Sequence, residues 1–253
     1  GSEMCIRDRS ITWAQNPDNL LLLTLLSGDV AVLRYERSSN IYGWSLLEFA
    51  GDIKDLTSGT YFGNNEVAAI TQNIPNNLDL EHFGYGKNYY MDSWIEVYNE
   101  VATTTIVGLD HLEGKVVQVL TDGAVHPERL VSNGVIELQW EANHVVAGLG
   151  FTCSMKTFPL DIPLADGSSM SKMKHRNKIF LRLLNSTMPL INGQRPADRT
   201  PSTPMDDREP NRTQDVSVAN LGFDPDVIVE VEQDLPLDLT VLAIFGEARI
   251  SNL

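Results

Sequence analysis

The sequence predicts an all-β protein, and three observations predict it. From Ile11 onward, short runs of β-branched and aromatic residues succeed one another along the 253-residue chain, the composition that suits a pleated, half-buried surface. Turn dipeptides separate the runs, most clearly Asp122-Gly123 and Asn133-Gly134, whose residues tolerate the positive φ of a tight two-residue hairpin. Residues 108–151 concentrate this rhythm of strand, turn and strand, and carry no catalytic constellation.

Residues 1–10 stand outside the fold argument. The run Met4-Cys5-Ile6-Arg7-Asp8 looks like a reading frame through a sequencing adapter, and Gly1-Ser2 like a cloning scar. On that expectation the natural protein extends further at its N-terminus. Residues 11–15 then form a short strand, the Asn16-Pro17-Asp18-Asn19 turn has proline pre-set for it, and residues 20–26 read as a buried strand. Ser27-Gly28-Asp29 turns the chain into residues 30–37, and residues 41–49 follow with Gly43-Trp44 near their start. Four strands joined by short turns make a meander of the kind that forms one blade of a β-propeller. Residues 53–58 and 66–72 begin a second blade, with Asn64-Asn65 as the turn, and residues 73–87 form a long loop. The strand at 88–99 holds Tyr89, Tyr90, Trp94 and Tyr98.

A small β-barrel is expected over 102–151, inserted after a blade-like region at 11–101 and before a C-terminal β region at 152–253. Its strands include residues 115–121 and 135–138. Beyond it, residues 152–160 form a strand and 161–171 a loop. Residues 172–184 admit a helix, yet the alternation of Phe180, Arg182 and Leu184 favours a strand. Residues 191–215 interleave Pro196, Pro201, Pro204 and Pro210 with Arg and Asp, and read as a long loop that orders on assembly. Two closing strands cover 227–232 and 239–245. In the first, Val227, Val229 and Val231 alternate with Glu230 and Glu232, which predicts one buried and one wet face.

The net charge of −15 argues against a tightly held nucleic acid, because phosphate contacts come chiefly from Lys and Arg. The longest apolar run, 20–26, is far shorter than the roughly 20 residues of a membrane-spanning helix, and no secretion signal is visible. Without such a signal the Asn-x-Thr triplets at Asn185 and Asn211 carry little weight. Cys5 and Cys153 read as incidental thiols.

Catalytic and metal signatures do not emerge from spacing. The glycines Gly108 and Gly114 with Lys115 resemble a phosphate loop, but five residues separate them where four are needed, and Val116 stands where Ser or Thr would reach magnesium. They are read as turn glycines. The five histidines, His82, His111, His126, His144 and His175, fall in separate segments without metal-ligand spacing, and are expected as satisfied surface or edge residues. Asp110 and Glu113 flank His111 as an acid–base pair would, although a solvated turn explains them as well. Trp13, Trp44, Trp94 and Trp140 come one per structural unit, the distribution of core packing. No catalytic, cofactor-binding or metal-ligating residue is assigned.

The motifs do carry a family resemblance. Ile11-Thr12-Trp13-Ala14-Gln15-Asn16-Pro17, Ser27-Gly28-Asp29-Val30, Arg34-Tyr35-Glu36-Arg37 and Gly43-Trp44 resemble a propeller blade of the tail-nozzle proteins of short-tailed bacteriophages, the tail tubular protein B-like group. Trp94-Ile95-Glu96 resembles the strand before their inserted barrel. Gly108 through Gly114, Asp122-Gly123 and Val146-Ala147-Gly148-Leu149 resemble the barrel, which is similar in fold to the first catalytic-cysteine half-domain of ubiquitin-activating enzymes. The run from Gln233 to Ile244 resembles the family's last strands, and the 73–87 loop departs from its pattern.

The resemblance implies a non-enzymatic virion protein, assembled in the host cytoplasm as a subunit of a six-fold homo-oligomeric ring at the end of the tail. Its partners would be the tail adaptor ring and the tail fibres, with genomic DNA passing through transiently. It implies no cofactor. The rival expectation is a carbohydrate-binding or carbohydrate-cleaving propeller-type protein, which needs aromatics and carboxylates converging on one cleft. A third is an accessory β domain of a larger protein.

Overall fold

The computed structural model describes residues 8–15, 19–61, 64–75, 77–83, 89–164, 167–170, 172–197, 211–218 and 222–250. They form an all-β protein of several antiparallel sheets, whose one helical element is a single 3-10 turn at Asp110–Leu112. The chain divides into two compact units, Gly1–Phe151 and Thr152–Leu253.

The first unit begins with the expected meander. Strands β1 (Asp8–Ala14), β2 (Leu20–Leu25), β3 (Val30–Glu36) and β4 (Ile41–Leu47) pair in sequence order. The strand begins earlier than expected: Asp8 and Ser10, within the excluded segment, pair with Leu25 and Thr24. A second sheet, β5 (Asp52–Tyr61), β6 (Asn64–Gln72) and β7 (Asp79–His82), corrects two expectations. Asn64 and Asn65 lie within β6, paired with Tyr61 and Thr60. The supposed 73–87 loop contains β7, because Leu80 and His82 complete a ladder to Ile70 and Ala68. The two sheets share a core in which Ala14, Leu22, Val30 and Val32 meet Ile53, Leu56, Val67 and Ala69. The backbone of Ile53 reinforces it by donating to the Gly28 carbonyl at 3.0 Å.

The third sheet carries the strongest sequence signals. Strand β8 (Met91–Val107) runs unbroken through 101–102 and pairs with β11 (Val135–Gly150), while β9 (Val116–Thr121) and β10 (Ala124–Leu130) complete the order β10-β9-β11-β8. Asp122 (φ 51) and Gly123 (φ 84) make the β9–β10 turn, and Asn133 (φ 55) and Gly134 (φ 69) the turn into β11, all in the left-handed region expected of these dipeptides. Gly108 and Gly114 also have positive φ and act as turn residues.

The expected closed barrel does not form: the sheet is open. Closure would need β10 to pair with the first half of β11. There Pro127, which has no N–H, sits in the register shift between His126 and Arg129, and β11 has its own shift between Glu137 and Ala142. A side chain takes over where a ladder would run: the backbone N–H of Gln139 donates to His126 Nε2 at 3.0 Å.

The second unit centres on β15 (Lys174–Ser186), a strand as the alternation predicted, flanked by β17 (Arg212–Val218), β18 (Gly222–Asp224) and β20 (Val241–Ile250). Beside it lie the sheet β12 (Cys153–Lys156), β19 (Glu230–Gln233), β16 (Leu190–Ile191) and the two-residue pair β13 (Pro163–Leu164) and β14 (Gly167–Ser168). Val227, Val229 and Val231 are buried, and Glu230 and Glu232 less so, as their alternation predicted. The expected 191–215 loop is shorter than supposed, since Arg212–Asp215 belong to β17; its middle, 198–210, lies outside the described residues.

Candidate functional site

Two polar clusters and two apolar surfaces are the candidates. The first polar cluster is centred on Ser93. Gly148 of β11 lies so close to β8 that a Cβ there would stand 2.8 Å from the Asp92 carbonyl oxygen and 2.8 Å from Trp94 Cβ. At this close approach the β8–β11 register shifts, and Ser93 takes a positive φ of 51°. Its hydroxyl donates to Glu81 Oε1 at 2.6 Å, Asn73 Nδ2 donates to the same carboxylate oxygen at 2.9 Å, and His111 Nε2 meets the Ser93 carbonyl at 2.9 Å. Asp92 beside it accepts from the Ala50 backbone at 3.3 Å, and burial, with the negative charge of Glu81, pushes its carboxyl up to about 6.

The cluster borders a cavity of about 370 Å³ lined by Asp79, Glu81, His82, Ser93, Trp94 and His111 among others. Its bonding is that of a joint between sheets. His111 bonds the serine's carbonyl and not its hydroxyl, which donates to Glu81, so the imidazole is not placed as a base for that hydroxyl. One flanking carboxylate turns elsewhere: Glu113 accepts from the backbones of Gly134 (2.8 Å) and Asn133 (3.0 Å), and those two bonds hold its carboxyl below the ordinary range. His111 and Glu113 of the considered acid–base arrangement are thus bonded to separate backbone groups and not to each other.

Sequence reasoning missed the second cluster. On one face of β8 and β11, Glu96 Oε1 accepts from Tyr89, from Tyr98 at 2.9 Å and meets His144 Nε2 at 3.1 Å. The Tyr98 ring stacks on His144 at 4.2 Å with the planes 2° apart. The bond to Glu96 raises the Tyr89 phenol well above its ordinary value, with burial adding to it. Only the i, i+2 spacing of Glu96 and Tyr98 was visible in the sequence; His144 joins them through the register Tyr98↔His144.

His126, expected as a satisfied surface or edge histidine, lies on the edge strand β10 with both ring nitrogens bonded, and is only 2% exposed. Its Nδ1–H donates to the Pro127 carbonyl at 2.7 Å while Nε2 accepts from Gln139, which fixes a neutral ring. Burial pushes its pKa down. Among the described residues no group of three or more His, Cys, Asp or Glu stands close enough to hold a metal ion, and no helix is long and apolar enough to cross a membrane.

In the second unit an apolar groove of about 640 Å³ runs between Phe158, which is 92% exposed, and Ile179, Val229, Ile244 and Phe245, with Glu247 and Arg249 at its rim. Val227 at its edge holds a φ of 52°, unusual for a β-branched residue.

The larger apolar surface is in the first unit, and it corrects the reading of the tryptophans as core. Trp13 is 39% exposed, Trp44 61% and Trp140 41%. The register aligns Trp13, Leu21, Leu33 and Trp44 in one rung across all four strands of the first sheet, with Ile11, Leu23, Ala31 and Leu46 in the next. Since side chains alternate across a strand, these rungs lie opposite the face that packs on β5 and β6. The sheet is apolar on both faces; β1 to β3 are covered on one, and β4 is exposed on both. No protein-family model matches the chain, and no curated protein matches it.

Proposed function

We propose that this chain is a structural virion protein, a subunit of the tail-nozzle ring through which the genome of a short-tailed phage leaves. The observation that carries the reading is the four-stranded meander β1–β4, apolar on both faces, since a sheet so patterned is made to be stacked between neighbours. The sequence motifs that resemble the nozzle family supply its identity: Trp13, Tyr35 and Trp44 fall on the uncovered face, and Gly28, at φ 97°, on the turn that meets β5.

The charge of the chain, −15, agrees with this role. A channel wall poor in Lys and Arg takes up few phosphate contacts, releases few counterions and so does not hold passing DNA. In this reading the partners are further copies of the chain, a tail adaptor ring and tail fibres, and no residue performs chemistry. Negative-stain electron microscopy of the purified chain, alone and mixed with a tail adaptor ring, tests it: closed rings or capped tube ends are expected. Unassembled particles that bind a glycan array would instead favour the carbohydrate reading, and a strongly basic lumen in an assembled ring would remove the argument from charge.

A further inference from the structure

We infer that the uncovered face of the β1–β4 sheet binds the same face of a second copy of this chain. The inference goes beyond the proposed function by naming a contact between two copies, and it shares with that reading only the premise that the chain is an assembly subunit.

The pattern requires a partner. Strand β2 reads Leu20-Leu21-Leu22-Leu23-Thr24-Leu25, apolar on both faces, whereas an antiparallel strand with one face in water alternates apolar and polar. Leu22 meets the core shared with β5 and β6, while Leu21 and Leu23 point the other way, between the edge strands β1 and β4. Around them Ile11 is 61% exposed, Tyr35 43%, Tyr42 68%, Trp44 61% and Leu46 52%. Each aromatic carries roughly 150–250 Å² of buriable surface, so the face offers on the order of 600 Å² of apolar area. That is at the upper end of the patches isolated proteins leave open and approaches the roughly 800 Å² per partner of a standard interface.

Charge and shape select the occupant. The two rungs contain no ionisable side chain, so two strongly acidic chains meet here without placing carboxylates against each other. The uncovered face of β5–β7 is a worse match, because Asp55, Glu66 and His82 stand there beside Ile70 and Leu80. The face is also complementary to itself. A two-fold axis crossing the strands between the two rungs sets each rung on the other: Trp44 over Leu46, Leu33 over Ala31, Trp13 over Ile11, large side chain on smaller. This contact pairs two subunits and does not by itself close a ring, so it and the nozzle reading fail separately.

Analytical ultracentrifugation of the chain over a range up to about 100 μM tests the contact. A dimer is expected at micromolar concentration, tighter at 500 mM than at 50 mM NaCl (both about those values), since salt screens the net repulsion. Trp44→Lys is expected to weaken the dimer about a hundredfold with an unchanged circular dichroism spectrum. Tyr42→Lys, at the more exposed edge position, serves the same purpose should that variant fail to fold. Phe158→Ser, in the other unit, is expected to leave the dimer intact. A wild-type monomer throughout, or a dimer unaffected by Trp44→Lys and Tyr42→Lys, overturns the inference. Rings that survive those substitutions overturn it while leaving the nozzle reading in place; dimers without rings uphold it and count against the nozzle.

Discussion

Replacing His126 with leucine should destabilise the first unit by about 1–3 kcal/mol. The substitution puts an apolar side chain of similar size at a position only 2% exposed, so the loss comes from hydrogen bonding and not from an emptied site. Two backbone groups lose their partner: the Gln139 N–H, which now donates to Nε2 at 3.0 Å, and the Pro127 carbonyl, which now accepts from Nδ1 at 2.7 Å. A backbone group left unpaired costs about 1–3 kcal/mol when fully buried; Pro127 and Gln139 are exposed residues and both bonds are part-buried, so water partly replaces the imidazole and the loss is about that of one group. Urea unfolding followed by tryptophan fluorescence measures it selectively, because Trp13, Trp44, Trp94 and Trp140 all lie in the first unit. The sign of the pH dependence follows from the lowered pKa of His126. Folded His126 resists protonation, so its contribution is complete above the ordinary value of 6.5 and is lost as pH falls through the lower folded pKa. The leucine variant should lack that decline. A loss below about 0.5 kcal/mol, with Gln139 amide exchange unchanged, would refute the view that this side chain substitutes for a missing strand pairing.

Asp92→Asn should stabilise the protein at pH 7, by up to about 3 kcal/mol, and the advantage should vanish near pH 4. Its folded carboxyl is raised from 3.8 to about 6, so the native protein loses stability as pH climbs between those values, and a pH series of melting temperatures would detect it. Gly148→Ala should cost at least about 1–3 kcal/mol, because the added methyl meets the Asp92 carbonyl oxygen and Trp94 Cα at 2.8 and 2.9 Å; chemical denaturation measures this, and a neutral outcome would mean that the close approach relaxes freely. In the second unit, Arg182 holds Asp215 below the ordinary carboxylate range through paired bonds of 2.8 and 2.9 Å. Arg182→Met should return the Asp215 titration to the ordinary range in an NMR experiment while barely moving the unfolding midpoint, since both side chains are exposed.

Local chemistry made much of the fold legible in the sequence. Asp122-Gly123 and Asn133-Gly134 predicted their turns because few other residues accept positive φ at both central positions, and the alternation at 227–232 predicted a buried and a wetter face because side chains in a strand have a period of two. The failures are equally specific. Strand β7 lay hidden among polar residues, since Asp79 and Glu81 enter a strand only because Thr71 and Ala69 are there to pair with them. The Ser93 cluster draws on Asn73, Glu81, Ser93 and His111, and the Glu96 cluster on Tyr89, Tyr98 and His144. Beyond the i, i+2 spacing of Glu96 and Tyr98 neither has a spacing to read, because the fold brings together residues up to 55 positions apart.

The sequence by itself determined that this protein is all-β, where several of its strands lie, and which dipeptides turn the chain, because each depends on a few adjacent residues. Only the tertiary structure decided that the β8–β11 sheet stays open, that His126 is buried and neutral, and that Trp13 and Trp44 stand on an uncovered face. Closure, burial and exposure are properties of what lies across space from a residue, and a tryptophan reads the same in the sequence whether or not another sheet covers it.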